Sequence, residues 1–247
     1  MVLAMLLAHL VGDYILQWDS LSRWKSQAFG GVLVHGLIVT VVTFLFTLPF
    51  DPSWWPWAIF IGVTHTIIDG IELPIRRRLT AQDSGHAALA LFVADQVAHL
   101  TIILLALIWS GYLKAPALLE GLASASSENP LLTFVVAYAF LTMPAWIITK
   151  FFAHGLVDDS APDFSLTFSN KYFGMLERGL IATLILFGQF LLVPIVALPC
   201  VFLQWSHSKK TSATDPESAR KLNFIYIAEV LTSIALAVAI GLGLRNL

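Results

Sequence analysis

The residues able to do chemistry in this chain lie inside its apolar runs, and most of them come in pairs. His9 and Asp13 are four residues apart, as are His65 and Asp69, and Asp95 and His99. His35 stands alone in another apolar run, and Glu72 follows Asp69 by three residues. Side chains at i and i+4 share one face of a helix, so each pair presents an imidazole beside a carboxylate. An ionisable group at the centre of a bilayer costs ~2.5–3.5 kcal/mol on insertion scales, so each of these needs a reason to be there.

Nitrogen and oxygen donors without sulfur suit a divalent metal: zinc first, with manganese or iron as alternatives. His9, Asp13, His35, His65, Asp69, Asp95 and His99 are the expected ligands. They outnumber what one ion can use and would serve two ions roughly 3.5–4 Å apart, with positions left for water. Glu72 shares a helical face with His65 and Asp69 and is the expected general base; its other reading is an interfacial ion pair with Arg76. Gln17 extends the His9–Asp13 face as a supporting donor. His86 lies off the Asp95–His99 face, and His154 and His207 fall in loops. Two other readings of the pairs remain open, as a proton or ion pathway and as hydrogen-bonded clamps between helices.

Helices in a membrane must position these groups. Of the 247 residues 57% are hydrophobic and 12% charged, against about 25% charged in soluble domains. With a mean hydropathy of +0.79, the chain has too few polar residues to cover a water-facing surface, which excludes a soluble enzyme or a nucleic-acid reader. The net charge of -2 points to no polyanionic partner. The one cysteine, Cys200, excludes an internal disulfide and reads as a packed thiol.

Met1 to Gln17 reads as a short retained helix rather than a signal peptide, because no Lys or Arg precedes Arg23 and the run carries His9 and Asp13. Trp18 to Phe29 reads as an interfacial segment with its cations facing water. Further spans are expected over Gly30–Leu48, Trp54–Ile75 (closed by Arg76, Arg77 and Arg78) and His86–Trp109. A solvated polar loop, Gly111–Pro130, follows. Leu131–Phe152 is expected to bend at Pro144. After an acidic loop with Asp158, Asp159 and Asp163 comes Met175–Trp205, either one kinked helix or a helix and a half-helix. Lys209–Lys221 is polar, and Leu222–Leu244 is the last span. The triple arginine is expected on the cytoplasmic side. In the second half, Lys171, Glu177 and Arg178 read as an interfacial ion cluster, and Glu229 needs a buried partner, for which Arg178 is the candidate.

Taken in order, H-L-V-G-D-Y-I-L-Q-W-D, V-H, H-T-I-I-D and A-D-Q-V-A-H resemble an uncharacterised bacterial inner-membrane family of unknown function. The N-K-Y-F-G-M-L-E-R stretch is similar to the C-terminal half of longer members, with Asn170 where their pattern has Gly. Ala228 and Glu229 are followed by Val230 where those members have Tyr. The His-x-x-x-Asp spacing also resembles that of the LexA-regulated membrane-bound metal-dependent hydrolases.

The expected architecture is an all-α polytopic transmembrane bundle of about seven spans. Residues 1–110 would form a four-helix polar-site region, 111–130 a loop and 131–247 the C-terminal membrane helices. The expected activity is a metal-dependent membrane hydrolase acting on a membrane-embedded or membrane-proximal ester, such as a lipid phosphoester. The alternative is a metal-ion or proton transporter using the same cluster. The expected partner is a membrane lipid or lipid-linked substrate with no nucleic acid, an oligomer is allowed, and the location is the bacterial inner membrane.

Overall fold

The computed structural model describes residues 1–79, 84–157, 162, 168–199, 202 and 216–247, and regular structure among them is entirely helical. Cys200, Asp158, Asp159, Asp163, His207, Lys209 and Lys210 lie outside the described residues. The chain forms two compact units: Met1–Ala81 with Leu91–Ala139, and Gln82–Ala90 with Phe140–Leu247.

The first unit opens with α1 (Val2–Leu10), which runs into a single π-turn, Val11–Ile15. The interfacial segment forms α2 (Asp19–Gln27), with Trp18 and Trp24 about half exposed. Next come α3 (Phe29–Thr47) and α4 (Trp55–Leu79). Between them Asp51 accepts the Ser53 N–H at 2.9 Å and the Tyr112 hydroxyl at 2.8 Å, and Pro52 starts the next turn, which needs no donor there. Arg76, Arg77 and Arg78 occupy the last turn of α4, where cations suit the negative end of the helix dipole. α5 (Gly85–Trp109) stops at Gly111, whose φ of 84° few other residues accept.

The stretch expected as a solvated loop contains α6 (Leu118–Glu128) instead. Leu118, Leu122 and Ala125 recur at helical spacing and pack on a core of Val2, Met5, Trp54, Ile61, Ile103 and Leu107. The serines between them are what made the segment read as solvated.

In the second unit α7 (Pro130–Leu141), begun in the first, gives way at Thr142 to α8 (Met143–Val157), with Pro144 in the first turn, so the expected bend is present. Arg178 occupies this break: its Nε donates to Leu141 O at 2.8 Å, Nη2 to Thr142 O at 3.1 Å and Nη1 to Ser233 Oγ at 3.2 Å. Carbonyls released by a broken helix would otherwise be costly inside a membrane. The partner of Glu229 is therefore corrected: Lys150 Nζ donates to Glu229 Oε1 at 2.7 Å. The long sixth stretch resolves into α9 (Phe168–Leu186), a break at Gly188 with φ 72°, and a short apolar helix, Phe190–Pro199. The final helix, α10 (Pro216–Arg245), packs on α8 and α9 around Ile181, Ala182, Ile185 and Ala237.

Among the described residues, four helices are long and apolar enough to cross a membrane: Phe29–Thr47, Pro52–Arg78, Gly85–Trp109 and Arg220–Arg245. Taking the broken pair α7 and α8 as one span makes five among the described residues, where about seven are expected and not confirmed. Val2–Ile15 accounts for part of the difference, since at 1.5 Å per residue it reaches only ~21 Å of a ~30 Å hydrocarbon core. The sixth stretch accounts for the rest, with Lys171, Glu177 and Arg178 on α9 and a break before its apolar end.

Candidate metal centre

The centre is assembled where α3 and α4 approach most closely. A Cβ on Gly36 would lie 1.9 Å from Thr66 Oγ1, and one on Gly62 would lie 1.7 Å from Thr40 Oγ1. Each threonine hydroxyl is turned onto its own helix, to Gly36 O and Gly62 O at 2.7 Å. This reciprocal Gly-x-x-x-Thr contact is the small-residue packing that membrane helices use to bring backbones together. One residue before Gly36 and three after Gly62, the rings of His35 and His65 meet with their Nε2 atoms 3.0 Å apart.

The π-turn supplies the third donor. Leu16 N bonds Val11 O at 2.8 Å, an i→i+5 closure that re-aims the residues inside it. Asp13 consequently reaches across to α3, with Oδ1 3.0 Å from His35 Nε2, rather than standing beside His9. The other two pairs form as expected: His65 Nε2 lies 3.3 Å from Asp69 Oδ2, and His99 Nδ1 lies 3.3 Å from Asp95 Oδ1.

Asp13 Oδ1, His35 Nε2 and His65 Nε2 thus converge as one set, and Asp69 Oδ2 lies beside its two imidazoles. His65 Nε2 lies 3.7 Å from Asp13 Oδ1, and His35 Nε2 lies 3.8 Å from Asp69 Oδ2. A tetrahedral shell with ligands at ~2.0–2.2 Å has edges of roughly 3.3–3.6 Å. The five separations that involve His35 or His65, 3.0–3.8 Å, bracket it, and Asp13, His35 and His65 offer ligand atoms within 4.8 Å of one another, so these buried groups could hold a metal ion. Two further sets of three offer ligand atoms within 4.8 Å of one another: His65, Asp69 and His99, and Asp69, Glu72 and Asp95.

Around this core, Gln96 Nε2 donates to Asp13 Oδ2 at 3.3 Å and to Asp95 Oδ2 at 2.9 Å. The Tyr14 hydroxyl in turn donates to Gln96 Oε1 at 2.5 Å. Gln96, not Gln17, is therefore the amide that orients the Asp13 carboxylate. His99 Nε2 is buried without a hydrogen-bond partner, 3.9 Å from Asp69 Oδ1, and His35 Nδ1 is likewise buried and unpartnered. The His9 ring stacks 6.2 Å from that of His99. His9, His65 and His99 form the polar end of a ≈ 10 Å³ cavity whose walls include Met5, Val39, Ile61 and Ile103; roughly 10–15 Å³ holds one water. Glu72 is buried and accepts from Arg76, so the ion-pair reading of this residue is realised while its carboxylate also joins Asp69 and Asp95.

Lys25 is the largest departure from expectation. Instead of facing water it enters the site, with Nζ 2.9 Å from Asp69 Oδ2 and its side chain 13% exposed. Gly31 permits this: a Cβ there would lie 2.5 Å from the Lys25 backbone nitrogen, so α2 lies directly on the start of α3. Burial works against the lysine's charge, but Asp69, Asp13 and Asp95 outweigh it and hold its pKa above the ordinary value. Neither Lys25 nor Gln96 stands out by spacing. Tyr14 and Gln96 do each adjoin a recognised acid, which is the one local signal they carry.

The centre can now be set beside known proteins. Residues 1–122 match the family described as "Protein of unknown function (DUF3307)". No curated protein and no solved structure matches the chain. The matched segment contains every residue of the centre, from His9 to His99, and ends inside α6. This agrees with the resemblance to an uncharacterised family carried by the same motifs.

Proposed function

We propose that this protein is a divalent-metal-dependent hydrolase of the bacterial inner membrane, acting on a membrane-embedded or membrane-proximal ester such as a lipid phosphoester. The observation that carries the reading is the meeting of Asp13, His35 and His65, with Asp69 beside the two imidazoles, at separations of 3.0–3.8 Å. Two imidazoles and two carboxylates favour zinc over softer or harder ions. A bound zinc ion would lower the pKa of its water towards ~7 and polarise the ester.

The chain's own residues supply the rest. Asp13, His35, His65 and Asp69 hold the ion, while Gln96 and Tyr14 fix the Asp13 carboxylate. His99, aimed at Asp69, and His9 line a cavity of about one water's size. Glu72 is the general base, its carboxylate oriented by Arg76. The centre lies near one membrane face, since His35 is only ~9 Å into α3 from Phe29. Behind it Met5, Ile61, Ile103 and Leu107 form an apolar core. A transport pathway needs polar groups leading to both faces, and this core speaks against the rival reading.

The test uses purified protein in lipid nanodiscs, loaded with zinc, with phosphoester and carboxylester lipids as substrates. Product release that disappears on chelation and in Asp13→Asn and His65→Ala supports the proposal. Zinc flux into vesicles with no hydrolysis would refute it in favour of transport.

A further inference from the structure

The same cluster contains two organic cations, and their placement bears on how many metal ions it takes. The ligand surplus in the sequence suggests two ions, and a second one would use the group Asp69, Glu72 and Asp95. Two of those three carboxylates are already paired, Asp69 with Lys25 Nζ at 2.9 Å and Glu72 with Arg76. The charges of the cluster give the same count. Asp13, Asp69, Glu72 and Asp95 contribute four negative charges, and Lys25 and Arg76 return two. With the ligating imidazoles of His35 and His65 neutral, the carboxylates and the two organic cations leave two negative charges, and one divalent ion cancels them. A second ion would leave a buried net charge of +2, which a low-dielectric site strongly disfavours.

The orientation of α2 shows that Lys25 is built into the centre. Its backbone lies on Gly31 at a distance no side chain would permit, and its side chain reaches Asp69 Oδ2 at 2.9 Å. His99 Nε2, buried and unpartnered, points at the free Asp69 Oδ1 on the other side of the same carboxylate. Asp69 Oδ2 therefore faces both the ammonium and the His35–His65 pair, while Oδ1 faces His99.

Resting on the metal-binding reading above, we propose that the centre is mononuclear and that the Lys25 ammonium occupies the place of a second metal ion. A lysine in that place repels the bound ion, whereas a lysine that only propped Asp69 in position would support it. The two roles predict opposite signs for the same substitution.

Metal-free wild type, K25M and K25R are titrated with zinc against a chromophoric competitor in detergent, and bound zinc is counted by elemental analysis. The expected result is one zinc per chain in wild type, binding at least about tenfold tighter in K25M, and near wild-type affinity in K25R. Two tightly bound zinc ions in wild type overturn the inference and leave the metal reading standing; this arm needs no variant to fold. K25M that elutes as wild type but binds zinc equally or more weakly overturns it too, as does K25R behaving like K25M. Wild type that binds no zinc overturns the metal reading itself.

Discussion

Gly62→Ala tests how the centre is assembled without touching any proposed ligand. The new methyl carbon would lie 1.7 Å from Thr40 Oγ1, 2.8 Å from its Cβ and 3.2 Å from its Cα. The hydroxyl can rotate away, at the cost of its 2.7 Å bond to Gly36 O. The Cβ and Cα cannot, so α3 and α4 must separate by about 0.6 Å to reach an ordinary 3.4 Å contact. His35 and His65 ride on these two helices, and metal–ligand distances tolerate only ~0.2 Å. Zinc affinity should fall by roughly 10–100-fold, the size expected when support for a ligand is lost. Overpacking should cost the metal-free protein about 1–3 kcal/mol. Competition titration with zinc and thermal unfolding of the metal-free protein measure the two effects separately. Adding Thr40→Ala removes the 1.7 Å contact but leaves the 2.8 Å one, so it should restore part of the affinity. Wild-type zinc affinity in Gly62→Ala would refute the reasoning, because the spacing of α3 and α4 would then not set the site.

Two other outcomes follow from the same geometry. His35→Ala and His65→Ala should each remove most zinc binding, and the double mutant should lose little more, because their Nε2 atoms lie 3.0 Å apart in one ligand set; additive losses in a double-mutant cycle would return these residues to independent clamps. Cysteines placed at Arg77 and Ser126 should label with a membrane-impermeant reagent from opposite sides, Arg77 from the cytoplasm, since Gly85–Trp109 is long and apolar enough to cross between them; labelling from the same side would show that this helix does not span.

The sequence by itself determined that the chain is helical and membrane-like, and which side chains pay the cost of being buried there. Helical periodicity, proline positions and long apolar runs are local properties, so α3, α4, α5 and the break before Pro144 are legible from spacing alone. The pairs His65–Asp69 and Asp95–His99 are legible for the same reason, as one turn of helix sets their geometry. The first pair was not, because a π-turn shifts the register by a residue and hands Asp13 to His35. α6 was misread because its apolar residues are sparse among serines and become a face only when a core is there to cover them. Tertiary structure alone decided that Gly36 and Gly62 bring His35 and His65 into contact, since that depends on which small residues on two helices come to oppose each other. It also decided the role of Lys25. In sequence this is one of several cations in an interfacial segment, and nothing local distinguishes a lysine in water from one directed at Asp69. Only the close fit of α2 on Gly31 turns it inward.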